Sequence, residues 1–106
     1  MVFLAGGLML SAFAVQARSF TDDQMCERAV SEQRMGRASE RQCQCVIGVA
    51  RIKLGPLVYL QWREAMYLGE SRLDAVLDLG IPLRELHARM EEVIAASQRQ
   101  CGVDLS

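Results

Sequence analysis

The 106-residue chain contains no asparagine, one lysine, one histidine and one threonine. Such scarcity removes parts from most familiar catalytic constellations, and nothing matches G-x-S-x-G, a phosphate-binding P-loop, H-E-x-x-H or C-x-x-C-H. Carboxylates are plentiful, yet none stands alone in an apolar run where burial would raise its pKa for acid–base work. An excess of one charge is missing as well. Lys+Arg number 12 against 13 Asp+Glu, for a formal net charge of −1, so the concentrated basic surface that captures nucleic acid is absent. Strand signals are lacking too: no alternating run of β-branched residues is bounded by turns, and no Asn-Gly or Asp-Gly hairpin occurs. These absences point to an all-α, non-enzymatic protein with no cofactor, no metal and no nucleic-acid partner.

What is present begins with an address. Met1 to Ala17 carries no charged side chain, runs as one apolar stretch and ends in small residues, the shape of a cleavable secretory signal. Cleavage after Ala17 places Val15 and Ala17 at the two positions that signal peptidase reads and leaves Arg18 as the first mature residue. The run is short of the roughly 20 apolar residues of a membrane span, so no stable span is expected after cleavage. The basic residue that usually precedes the apolar core is missing. Either the α-amino group alone supplies that charge or the translated start lies upstream of Met1. Residues 18–106 are then read as a single helical domain, periplasmic or extracellular. A domain of this length buries only about 60–65% of its unfolded surface, and small exported domains compensate with disulfides. Four cysteines, an even number, fit that expectation.

Punctuation divides the domain into about five helices, near residues 22–35, 40–54, 56–68, 72–79 and 82–101. Gly36, Gly55, Gly69, Gly80 and Gly102 stand where apolar helical patterns stop, suiting the left-handed position after a helix. Thr21-Asp22-Asp23-Gln24 and Ser39-Glu40-Arg41-Gln42 have the form of capping boxes, with Ser71 and Asp74 a weaker third. Pro56 and Pro82 suit first helical turns. The connections are too short for a linker between domains.

On the second helix Cys43, Val46, Ile47, Ala50 and Leu54 form one apolar stripe and Cys45, Val49 and Ile52 another, leaving a narrow polar track of Arg41, Gln44, Gly48 and Arg51. A helix apolar nearly all round is expected at the centre of the bundle. Residues two apart diverge by about 200°, so Cys43 and Cys45 cannot bond each other without unwinding the helix. One should reach Cys26 and the other Cys101. Cys26–Cys43 with Cys45–Cys101, and Cys26–Cys45 with Cys43–Cys101, both remain open. Cys101 ends the core-facing stripe Leu83, Leu86, Met90, Val93 and Ser97 on the last helix, opposite a solvated face on which Glu85 and Arg89 pair at i, i+4.

Tyr59, Arg63 and Tyr67, aligned at i, i+4, i+8 on the third helix, are the candidate partner-binding residues, because Tyr and Arg commonly anchor interfaces. The blander reading has Val58, Trp62, Ala65 and Met66 in the core and the tyrosines at its rim with wet hydroxyls. Cys-x-Cys also serves thiol exchange and soft metals such as Cu(I), and a His87–Met90 pair could assist copper, although no Met-rich tract accompanies it. The function expected from the residues is an exported, disulfide-stapled interaction module whose partner is another exported or envelope protein. The alternatives are a thiol-redox or copper-handling protein using Cys43 and Cys45, and a conditional chaperone that exposes apolar surface at low pH.

Overall fold

In the computed structural model, which describes residues 20–106, helices begin where the two capping boxes stand. Helix α1 (Asp22–Ser31) starts at Thr21, whose Oγ1 accepts from the Gln24 amide at 3.1 Å while Gln24 Oε1 accepts from the Thr21 amide at 2.9 Å. Helix α2 (Glu40–Leu54) repeats the device with Ser39 and Gln42. Each box satisfies two amides that a helix start leaves without partners. Helices α3 (Pro56–Leu68), α4 (Leu73–Leu77) and α5 (Leu83–Cys101) follow. Among the described residues there is no strand. The proposed signal segment, residues 1–17, lies outside them.

Two boundaries differ from the sequence pattern. Helix α1 stops at Ser31 rather than near residue 35. The Arg34 amide donates to Ala29 O at 2.8 Å and the Gln33 amide to Val30 O at 3.1 Å, a Schellman closure that puts Gln33 in the left-handed region at φ 54°. Gly36, the expected stop, is a second left-handed residue in the following turn. A glutamine at this position hides the stop, because the pattern is read from glycine. Helix α4 is shorter than expected, and Ser71 builds no capping box; its Oγ accepts only from the Leu73 amide, at 3.3 Å.

Helix α2 is the central rod, packed by α1, α3 and α5. The stripe Cys43, Val46, Ile47, Ala50 and Leu54 is buried, as its spacing implies. The second stripe is not: Val49 is buried, but Cys45 is exposed and Ile52 is 79% exposed. Gln44, Cys45, Gly48, Arg51 and Ile52 form one exposed sector of the helix, with Cys45 at its edge. Of the two pairings left open, the fold contains Cys26–Cys43 and Cys45–Cys101, each with Cα atoms 5.7 Å apart. Cys43 follows the buried stripe to α1, and Cys45, on the other side of the rod, reaches the last residue of α5.

Arginines fasten helix ends. Arg34 Nη1 donates to Met66 O at 2.8 Å and Tyr67 O at 2.6 Å, at the end of α3. Arg89 Nη1 donates to Leu54 O at 2.8 Å, at the end of α2, while its Nη2 meets Glu85 at 2.7 Å as the i, i+4 spacing predicts. The last carbonyls of a helix have no internal partner and carry the negative end of its dipole, so a guanidinium satisfies both needs. Gly69 is required here twice over: its φ is 73°, and a Cβ would lie 2.6 Å from Arg34 Nη2. Gly55, at φ 80° and ψ 164°, joins α2 to α3 in a region open essentially to glycine alone.

Replacing Arg34 with Ala should lower unfolding free energy by about 2 kcal/mol, the scale of a lost charged hydrogen bond. Gln33→Gly should raise it by about 1 kcal/mol by relieving the left-handed residue. Urea titration of the oxidised protein measures both.

Candidate functional site

Tyr59, Arg63 and Tyr67 share a face of α3, and the protein itself uses most of it. Helix α1 packs across α3. Tyr59 is only 6% exposed and its buried hydroxyl has no hydrogen-bond partner, in place of the wet rim position expected for it. Arg63 is 17% exposed; its Nε donates to Asp22 Oδ1 at 2.9 Å and its Nη2 to Phe20 O. Tyr67 stacks on Phe20 with centroids 4.1 Å apart and planes 6° apart. Arg63 Cζ lies 4.2 Å from the Phe20 centroid and Arg28 Cζ 5.0 Å from that of Tyr67, so two cations flank two stacked rings, each contact worth about 0.5–1 kcal/mol. The row thus clamps the start of α1 to α3. Sequence reasoning missed Phe20, although a large apolar residue just before an N-cap is a recognised signal for a hydrophobic staple.

Electrostatics on this side follow the same clamp. Asp22 also accepts from Arg51 Nη2 at 3.1 Å. Arg51 lies with Cζ 5.3 Å from the Tyr59 centroid. At the far end of the chain, the Ser106 hydroxyl and amide donate to Asp104 and hold its carboxyl below the usual range.

The free apolar surface is elsewhere. Leu68, Leu73, Leu77, Leu79 and Leu83 are 38–51% exposed, and Leu57 and Leu60 on the outer side of α3 are more than half exposed. Helix α4 is little more than one turn and packs on α3, leaving an apolar groove between α3, α4 and α5. One lobe, of about 270 Å³, is lined chiefly by Val58, Trp62, Leu73, Val76, Leu86 and Met90. A second, of about 230 Å³, shares Leu73, Leu86 and Met90 and adds Leu83 and His87. The polar side chains of the first lobe are already engaged: Arg72 Nε donates to Gln61 Oε1 at 3.3 Å, Arg72 Nη2 meets Glu64 at 3.4 Å, and Ser71 accepts from Leu73. No convergent set of free donors and acceptors is left to orient a polar ligand.

Leu83 belongs by spacing to the core-facing stripe of α5, yet it is 51% exposed, because α4 is too short to cover the first turn of α5. Trp62 is 8% exposed and buried as expected, although it also lines the groove. His87 is exposed at the edge of the second lobe beside Met90. Among the described residues, no group of three or more His, Cys, Asp or Glu is placed to hold a metal ion. The leucines between α3 and α5 were legible only as helix filling; that they stand open depends on the length of α4.

Lip and floor of the groove should separate experimentally. Leu83→Glu, at an exposed position, should change stability by no more than about 0.5 kcal/mol, whereas Leu86→Ala, at a site 8% exposed, should cost about 2–4 kcal/mol. Denaturant midpoints measure the contrast.

No protein-family model, curated protein or solved structure matches this chain.

Proposed function

We propose that the protein is an exported, non-enzymatic interaction module whose groove between α3, α4 and α5 receives the apolar ridge of an amphipathic helix from another exported or envelope protein. The observation that carries this reading is the row of exposed leucines beside a concave apolar surface. Contiguous exposed apolar surface on a small protein marks an interaction site. Its chemistry favours a polypeptide over a metabolite. Each lobe is smaller than the roughly 300–1,000 Å³ of small-molecule pockets, the polar groups of the first are already engaged, and His87 is the one polar side chain lining the second. Side chains three and four apart on a helix would enter both lobes at once, the helix-in-groove mode of recognition.

Export is supported by two disulfides, which persist in oxidising compartments, and by the uncharged apolar run at Met1 to Ala17. No helix among the described residues is long and apolar enough to cross a membrane. Protein recovered from a bacterial periplasm should begin at Arg18 on N-terminal sequencing; a retained leader would remove this part of the reading.

Trp62 is the sole tryptophan and lines the groove, so its fluorescence reports occupancy directly. Titration with leucine-based amphipathic model helices should change its emission intensity and saturate. Leu73→Glu and Leu83→Glu should abolish the response without changing the melting temperature. A flat response to helices with acidic, basic and neutral polar faces overturns the proposal. Concentration-dependent dimerisation that Leu83→Glu abolishes would instead assign the groove to a second copy of the chain.

A further inference from the structure

The two disulfides lie in unlike surroundings. Cys26 and Cys43 are 1% and 0% exposed, whereas Cys45 is exposed and Cys101 half-buried at the end of α5. Thiol–disulfide exchange requires a thiolate to reach a sulfur, and only the second bridge offers one. Arg41 stands one turn before Cys45 on the same exposed side of α2, where positive charge favours the thiolate form. Opening this bridge need not dismantle the bundle. Helix α5 stays against α2, with Val93, Ala96 and Ser97 buried. Val103, past the bridge, remains buried with its amide donating to Ser97 O at 3.3 Å, and Cys26–Cys43 still ties α1 to α2.

We infer that Cys45–Cys101 is a thiol–disulfide exchange site for a protein dithiol, while Cys26–Cys43 is a permanent staple. One thiolate of the dithiol attacks Cys45 Sγ, forming a mixed disulfide and releasing Cys101 as a thiolate, which takes a proton from water. The second thiol of the partner then attacks the mixed disulfide, forms the partner's own disulfide and releases Cys45. Two electrons pass from the partner dithiol to this protein, and the reverse sequence restores the bridge. The exchange-competent pair is therefore not the Cys-x-Cys of α2 but one member of it joined to the end of α5. The site lies about 27 Å along α5 from Leu83 at the helical rise, and it does not rest on the groove reading.

Timed exposure of the oxidised protein to dithiothreitol, followed by alkylation and peptide mass mapping, tests the inference. Cys45 and Cys101 should be labelled together, roughly ten times faster than Cys26 and Cys43 or more, with helical circular dichroism retained. Labelling of all four at one rate, labelling of Cys26 and Cys43 first, or no labelling before denaturation overturns it. In a second arm, a C-x-x-S variant of a thioredoxin-type protein, which lacks the second thiol that resolves the intermediate, should be captured on Cys45 of the oxidised wild-type protein as a mixed disulfide, with Cys101 released as a free thiol. Failure of the folded, oxidised protein to capture it would also defeat the proposal.

Discussion

Two sulfurs that leave α2 in opposite directions decide which helices are tied to it. Cys43 and Cys45, two residues apart on α2, diverge by about 200°, so one bridge runs to α1 and the other to the end of α5. In the chain-entropy description, closures spanning 17 and 56 residues contribute roughly 3 and 4 kcal/mol, set against total stabilities of about 5–15 kcal/mol for ordinary domains. Helix α2 holds its place through these ties, the stripe from Cys43 to Leu54 and Val49. It does not need burial all round, which is why Ile52 and the polar track can face water.

Side-chain chemistry then completes what the disulfides begin. With one lysine and the remaining cations arginine, the chain favours a planar, multi-donor group over a point charge. Arg34 and Arg89 cap the ends of α3 and α2, and Arg63 combines an ion pair with Asp22, a backbone hydrogen bond and a ring contact at Phe20. Through Arg63 and Tyr67 the same side of α3 holds the start of α1, while Tyr59 is buried beside Arg51 of α2. The arrangement moves the available apolar surface to the other side of α3, where the short α4 leaves Trp62, Leu73, Leu83 and Leu86 around an open groove.

Two chemically distinct regions consequently sit at the two ends of α5. Its first turn contributes Leu83 to the groove, and its last residue contributes Cys101 to the exposed bridge. Both are places where the fold leaves reactive or adhesive surface in contact with water, and each is backed by buried structure. Val93, Ala96 and Ser97 lie between them in the core. The proposed occupation of the groove and the proposed opening of the bridge therefore do not depend on each other.

The sequence by itself determined the local events: capping boxes at Thr21 and Ser39, the helices they start, the buried stripe from Cys43 to Leu54, the Glu85–Arg89 pair, and the restriction of disulfide pairing to two alternatives. Each follows from interactions within a few residues, where spacing along the chain is also spacing in space. It did not reveal the stop at Gln33, because the closure is made by backbone hydrogen bonds that any side chain can accompany at some cost. Tertiary structure alone decided which cysteine pairs with which, that Tyr59 is covered while Leu83 is open, and that Arg34 meets the end of α3. Those outcomes depend on which helix lies against which sector of its neighbour, and helical periodicity names an apolar face without naming what will cover it.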